Sequence, residues 1–231
     1  MSAQQKLHVF EDGSTLAMAL ASSIAGKLRD AIALHGEAVI AVSGGSTPKR
    51  LFEKLSNEIL DWSRVTVTLV DERWVPDSDE RSNARLVESL LLQRGAADAD
   101  FVPLYVEAAT PEAGIGEVRT RLAALKQPFD VVVLGMGPDG HTASFFPGGD
   151  RLGEALDTSN TALVLPMRAP GAGEPRITFT LPVLLKARAL YLHIQGEDKR
   201  EVLDQAEQAN SQLPIASVLR DAPQLDIYWC P

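Results

Sequence analysis

The chain has 231 residues, 45% of them apolar, and carries a net charge of −9 from 22 basic and 31 acidic side chains; this length supports a buried core without metal or disulfide staples. The acidic balance argues against a nucleic-acid partner, and the lack of any apolar run of about 18 residues argues against a membrane span. Cys230 is the one cysteine, which excludes a disulfide within the chain and a cysteine-ligated zinc site and fits a reducing compartment.

Met1 to Phe10 has no basic stretch followed by a long apolar core, so a secretory leader is not expected and a cytoplasmic location is. A small anionic substrate remains compatible with the net charge, because two or three convergent cations oppose the overall field at short range. Internal repeats and low-complexity tracts are missing, and one domain over residues 1–231, as a monomer or small homo-oligomer, is the expectation.

In chain order, Leu16, Leu20, Ile24, Leu28 and Ile32 recur every four residues and Gly36 follows, predicting a helix over about 14–34 with one face on a sheet. The apolar run 38–42 reads as a strand covered on both faces. Ser43-Gly44-Gly45-Ser46-Thr47-Pro48 ends it, with Thr47 as expected N-cap and Pro48 as first helical residue of a helix carrying Leu51, Phe52 and Leu55 inward. Residues 65–70 form the next strand, 71–76 a charged loop, and Ser82 caps a helix containing Leu86, Leu90 and Leu91. A strand over 101–106, a helix opened by Thr110-Pro111 and reaching about Lys126, and a strongly apolar strand over 129–134 follow.

Residues 135–149 are the loop after that strand. Further strands are expected at 162–165, 177–180, 189–194 and 225–229, with a helix over about 198–209 and a mobile-looking loop from Met167 to Arg176. Alternating strands and helices predict an α/β fold, a three-layer, doubly wound, largely parallel sheet whose ligands bind where loops leave the carboxyl ends of strands.

The polar turns fall at such ends. Ser43 to Thr47 places small residues and free backbone N–H groups between a strand and a helix, which suits a phosphate; the same stretch also reads as a plain tight turn, being neither a Walker loop nor a dinucleotide fingerprint. In Gly135-Met-Gly-Pro-Asp-Gly-His-Thr-Ala-Ser-Phe-Phe-Pro147, His141 suits proton transfer near neutral pH and Asp139 suits orienting it, against a capping or turn role. Asp71, Glu72 and Arg73 are unusually charged for a structural turn, and the planar fork of Arg73 fits an anion. Arg176 and Lys199 reach the same strand-end surface, with surface solvation as the alternative. Met167, Phe145 and Phe146 read as packing residues, while His8, His35 and His193 have bland settings. HExxH, paired cysteines and the GxSxG elbow are all missing, so water activated by a general base fits better than a covalent serine.

The segments SGGSTP, DERWVP with Ser82-Asn83, GMGPDGHTASFFPG, RITFTLP and GEDKREVL, in this order from about Val42 to Val202, together resemble the 6-phosphogluconolactonase family. The resemblance implies the NagB/RpiA/CoA transferase-like fold shared with glucosamine-6-phosphate deaminases, and hydrolysis of 6-phospho-D-glucono-1,5-lactone in the pentose phosphate pathway. It also implies His141 as general base supported by Asp139; Arg73, Arg176 and Lys199 as anion contacts; Gly44 to Thr47 as backbone donors; and Asn83 on a sugar hydroxyl or holding the loop. Ser43 and Asp71 belong to the same expected binding surface, with the roles of Asp71 and Glu72 open. No cofactor or metal is implied. An aminosugar-phosphate deaminase or isomerase, and a non-catalytic sugar-phosphate sensor, are the alternatives; deaminase-like relatives follow their DGH with Asn-Glu-Pro, whereas His141 here leads into Thr-Ala-Ser-Phe-Phe-Pro147.

Overall fold

Runs of branched apolar residues become the central strands of the computed structural model, which describes residues 5–231. The first four residues of the Met1 to Phe10 segment lie outside the described part, and the segment supplies β1 (Lys6–Val9), an edge strand not anticipated from the sequence. After it come α1 (Gly13–His35), β2 (Ala38–Val42), α2 (Lys49–Leu55), β3 (Val65–Leu69), β4 (Asp71–Arg73), α3 (Asn83–Leu90), β5 (Asp100–Val102), α4 (Pro111–Leu122) and β6 (Val131–Leu134). The second half contributes α5 (Leu152–Leu156), β7 (Val164–Met167), β8 (Arg176–Phe179), α6 (Leu181–Leu185), β9 (Ala189–Gln195), α7 (Glu197–Ala206), α8 (Pro214–Asp221) and β10 (Leu225–Cys230).

Seven strands pair in parallel throughout, in the order β1-β10-β9-β6-β2-β3-β5. Every residue of β2 and β6 is buried, as expected for strands covered on both faces. Helix α1 starts where Asp12 Oδ1 accepts from the N–H groups of Ser14 and Thr15, both at 2.8 Å, and ends at Gly36 (φ 82°). Leu16, Leu20, Ile24 and Leu28 on its inner stripe are fully buried, each stabilising the fold by about 1.5–3 kcal/mol relative to exposure. One contiguous hydrophobic core runs from α1 through the sheet to α7, α8 and β10.

Several expectations need correction. Thr47 does not cap α2: Pro48, with φ −77° and ψ −3°, takes the flanking position without any side-chain bond, and its carbonyl receives the first helical N–H, from Phe52. The strand over 101–106 contracts to β5, because Pro103 has no N–H to continue the ladder. The helix expected to reach Lys126 stops at Leu122. Residues 71–73 are not loop, and β7 and β8 are not in the parallel sheet; together they form a separate antiparallel sheet, β4-β8-β7. Only residues 168–175 join β7 to β8, and a parallel crossover needs a dozen residues or more. Met167 and Arg176, expected in a loop, are strand residues. Helices α5, α6 and α8 were not anticipated.

Topology fixes where a ligand can enter. From β2 the chain winds outward through β3 to β5, then returns to the other side of β2 to lay down β6, β9 and β10. The loops leaving β2 and β6 therefore diverge, opening a crevice at the carboxyl ends of the parallel strands.

Candidate functional site

A cleft of about 280 Å³ occupies that crevice. Ser43, Gly44, Gly45, Ser46, Thr47, Asp71, Arg73, Asn83, His141, Arg176 and Lys199 all line it, so segments more than 150 residues apart in sequence converge on one hollow. Asp139 stands outside the lining and touches the cleft through His141.

At one end, Asp139 Oδ1 lies 2.5 Å from His141 Nδ1 and 3.1 Å from the His141 backbone N–H. Burial works to raise the Asp139 pKa, but these bonds and the neighbouring ring hold it below its ordinary value. An ionised Asp139 accepts the Nδ1 proton, which leaves Nε2 with a lone pair free to take a proton. The ring stacks on Phe146, centroids 4.1 Å apart at 26°. Gly137 makes room: a Cβ there would sit 2.1 Å from ring atoms Cε1 and Nδ1 of His141.

Two cations form another wall of the cleft. Strand β4 runs antiparallel to β8 with Arg73 directly opposite Arg176, so side chains of like charge lie side by side. Burial lowers the pKa of Arg176 and Asp71 counters it, the carboxylate lying 3.8 Å from Arg176 Nη1. Arg176 Nη2 donates to Ala172 O at 2.8 Å, its Cζ lies 5.2 Å from the Phe146 ring centre, and its Nε has no partner. Asp71 Oδ2 accepts from Ser144 Oγ at 2.5 Å. Two guanidiniums against one buried carboxylate leave net positive charge in the wall, a local field that suits an anion despite the chain's net charge of −9.

Glu72, between these residues on β4, points away from the cleft and does structural work. Its carboxylate accepts from the N–H groups of Arg73 (2.7 Å), Asn83 (2.9 Å) and Ala84 (2.8 Å) and from Ser82 Oγ (3.2 Å). Burial pushes its pKa up to about 7, and those N–H donors oppose the rise; four donors aimed at one group suit the anion. Glu72 thereby ties the start of α3 to β4 and sets Asn83, whose Nδ2 donates to Asp71 O at 3.0 Å. Gly44 has to be glycine, since a Cβ would fall 1.9 Å from Asn83 Oδ1.

The Ser43 hydroxyl is already committed: it donates to Val133 O (3.0 Å) and accepts from Gly135 N–H (3.1 Å), stapling β2 to β6. Lys199 Nζ donates to Met136 O at 2.7 Å, and burial lowers its pKa. Among the described residues, four of the five buried side-chain atoms without a partner belong to cleft residues, namely Asn83 Oδ1, Thr142 Oγ1, Arg176 Nε and His193 Nδ1; the fifth, Asp130 Oδ1, lies 3.3 Å from Arg188 Nε. Unpaired polar atoms concentrated at one place suit a polar ligand able to supply the missing partners. Phe146, expected to be packing only, and Ser144, Thr142 and His193 were missed. His193 had one usable signal, a lone imidazole in an apolar strand two residues short of its carboxyl end.

Among the described residues, no three His, Cys, Asp or Glu side chains gather as a metal-binding group, and no helix is long and apolar enough to cross a membrane.

The comparisons agree with one another. The family model for glucosamine-6-phosphate isomerases/6-phosphogluconolactonase matches residues 11–229. A 6-phosphogluconolactonase of Rhizobium meliloti is 56% identical over 97% of this chain and 98% of its own length, and one of Mesorhizobium japonicum is 50% identical over 97% and 94%. The crystal structure of a 6-phosphogluconolactonase from Shewanella baltica superposes with a TM-score of 0.95 at 40% identity, covering 100% of both chains. With cleft, parallel sheet and near-complete sequence coverage in accord, the chain belongs to the glucosamine-6-phosphate isomerase/6-phosphogluconolactonase family.

Proposed function

We propose that the chain hydrolyses 6-phospho-D-glucono-1,5-lactone to 6-phospho-D-gluconate, the lactone-opening step of the pentose phosphate pathway. High identity to 6-phosphogluconolactonases over nearly the whole length supports the substrate. The observation that carries the chemistry is the Asp139–His141 pair on the same cleft as the Gly44 to Thr47 turn and three cations.

With Nδ1 bonded to Asp139, His141 Nε2 removes a proton from a water as that water's oxygen attacks the lactone carbonyl carbon. The carbonyl oxygen becomes an oxyanion, stabilised by a cation of the wall. On collapse the bond from the carbonyl carbon to the ring oxygen breaks, and His141 returns its proton to the departing oxygen, regenerating the neutral imidazole. The phosphoryl group rests on the N–H groups of the Gly44 to Thr47 turn, and Arg73, Arg176 and Lys199 divide between phosphate and oxyanion. Asn83 meets a sugar hydroxyl through its unpaired Oδ1. This chemistry moves no electrons to a cofactor. The enzyme works as one domain, in the cytoplasm, as a monomer or small homo-oligomer.

The deciding experiment is a direct assay of 6-phosphogluconolactone opening, corrected for spontaneous hydrolysis, on wild type and His141→Ala. The variant should lose about 10²–10⁴-fold in turnover and keep its affinity for 6-phosphogluconate. Ammonia release from glucosamine 6-phosphate without accelerated lactone opening would overturn the assignment, and binding without either reaction would indicate a sensor.

A further inference from the structure

Register and side-chain direction place His193 beneath the cleft. Along β9, Tyr191, His193 and Gln195 share one face; Tyr191 Oη lies 2.8 Å from Ser23 Oγ of α1, so it is the α1 side of the sheet. Leu134 of β6 pairs with Leu192 and Val42 of β2 with Val133. Extending both registers toward the carboxyl ends sets Gly44, Gly135 and His193 in a row on the same face of three adjacent strands. Gly135 has no side chain, so the imidazole of His193 borders the space it leaves, while the corresponding space at Gly44 is taken by Asn83 Oδ1; all three residues line the cleft.

The ring is only 2% exposed, and one of its nitrogens is spoken for. Gln195 Nε2 donates to His193 Nε2 at 3.2 Å, and the Gln195 amide lies against Gly13, where an added Cβ would meet it at 3.1 and 3.2 Å. An accepting Nε2 places the ring proton on Nδ1, which has no partner in the protein. Burial holds the His193 pKa down at about 4, so at neutral pH the group is an uncharged donor. A buried donor left unpaired is unfavourable unless a ligand supplies the acceptor.

We propose that His193 is a substrate-binding residue of the cleft floor, its Nδ1–H donating to the phosphoryl group held between the Gly44 to Thr47 turn and Lys199. The proposal rests on the sugar-phosphate reading above and adds a neutral donor to a set otherwise made of cations and backbone N–H groups. Being uncharged, this donor adds no positive charge beside Lys199, whose pKa burial already lowers.

Imidazole ¹⁵N–¹H spectra of the wild-type protein titrated with inorganic phosphate, together with calorimetric titration of 6-phosphogluconate into wild type, His193→Phe and His193→Gln, test it. The His193 Nδ1 resonance should move on phosphate binding. His193→Phe, which fills the volume but removes the donor, should weaken 6-phosphogluconate binding by roughly 10- to 100-fold, and His193→Gln should restore much of the loss. Phosphate binding that leaves Nδ1 unmoved, or wild-type affinity in a folded His193→Phe, overturns the proposal; should that variant not fold, the wild-type spectrum alone decides. Wild type that shifts at Nδ1 yet fails to open the lactone would sink the hydrolase assignment and keep the contact, whereas lactone opening with a silent Nδ1 would do the reverse.

Discussion

Replacing Gly137 by alanine adds one methyl group at the point where the structure has least room. The new Cβ would stand 2.1 Å from His141 Cε1 and Nδ1 and 2.7 Å from Asp139 Oδ1, whereas ordinary carbon contacts begin near about 3.5 Å. The ring must therefore retreat by roughly 1.4 Å. Its escape is restricted, because Asp139 holds Nδ1 at 2.5 Å and Phe146 is stacked with its centroid 4.1 Å away. A displacement of about 1 Å in a reacting group costs about 10²-fold in rate, equivalent to about 3 kcal/mol in the barrier. The Gly44 to Thr47 turn keeps its sequence and the arginine pair its strand register. Gly137→Ala should thus open 6-phosphogluconolactone about a hundredfold more slowly than wild type, after subtraction of spontaneous hydrolysis, and bind 6-phosphogluconate within about threefold of wild type by calorimetry. Turnover within about twofold of wild type in the folded variant would refute His141 as the base.

Burial of His193 with a pKa of about 4, against an unfolded value near 6.5, means the unfolded chain binds the extra proton first as pH falls. Stability should accordingly be fully present above about pH 6.5 and decline toward pH 4, by roughly 3 kcal/mol from this group; thermal melts across that window should flatten in His193→Gln, and an unchanged slope would count against a neutral buried ring. Glu72→Gln replaces an acceptor of three backbone N–H groups by an amide whose NH₂ faces one of them, so the melting temperature should fall by the equivalent of about 2–3 kcal/mol and 6-phosphogluconate should bind more weakly as Asn83 and Arg73 shift. Asp130→Ala, far from the cleft, removes the carboxylate that accepts from Val39 N–H at 2.9 Å; a loss of about 2 kcal/mol, or about 4–8 °C in Tm, with turnover retained, separates a purely structural carboxylate from those of the site.

The parallel sheet was legible because its middle strands, 38–42 and 131–134, are unbroken apolar runs that only burial on both faces explains, and their terminating glycine segments announced the crevice. The antiparallel sheet was not read, although the short span from Met167 to Arg176 held the clue: too few residues separate those strands for a crossover. Asp71, Glu72 and Arg73 looked alike as three charges in a turn. As a strand they alternate, so Asp71 and Arg73 face the cleft while Glu72 is turned to the start of α3. His193 escaped notice because it sits in an apolar strand whose neighbours need no chemistry, and its orphan nitrogen is visible only once Gln195 is seen to occupy the other. Ser43 illustrates the converse: its place in the glycine turn is as expected, yet its hydroxyl serves the backbone.

Val70 is the hinge pin between the two sheets. Its N–H goes to Val42 O in the parallel sheet and its carbonyl receives Phe179 N–H from the antiparallel one, both at 3.0 Å. A single residue thus couples the plate that presents the guanidinium pair to the strand that launches the glycine turn, with no slack segment to absorb relative motion. If Arg73 and Arg176 hold the substrate anion as proposed, the bonds of Val70 link that grip to the end of β2, so occupancy of the cleft should slow amide exchange at Val70 and Phe179.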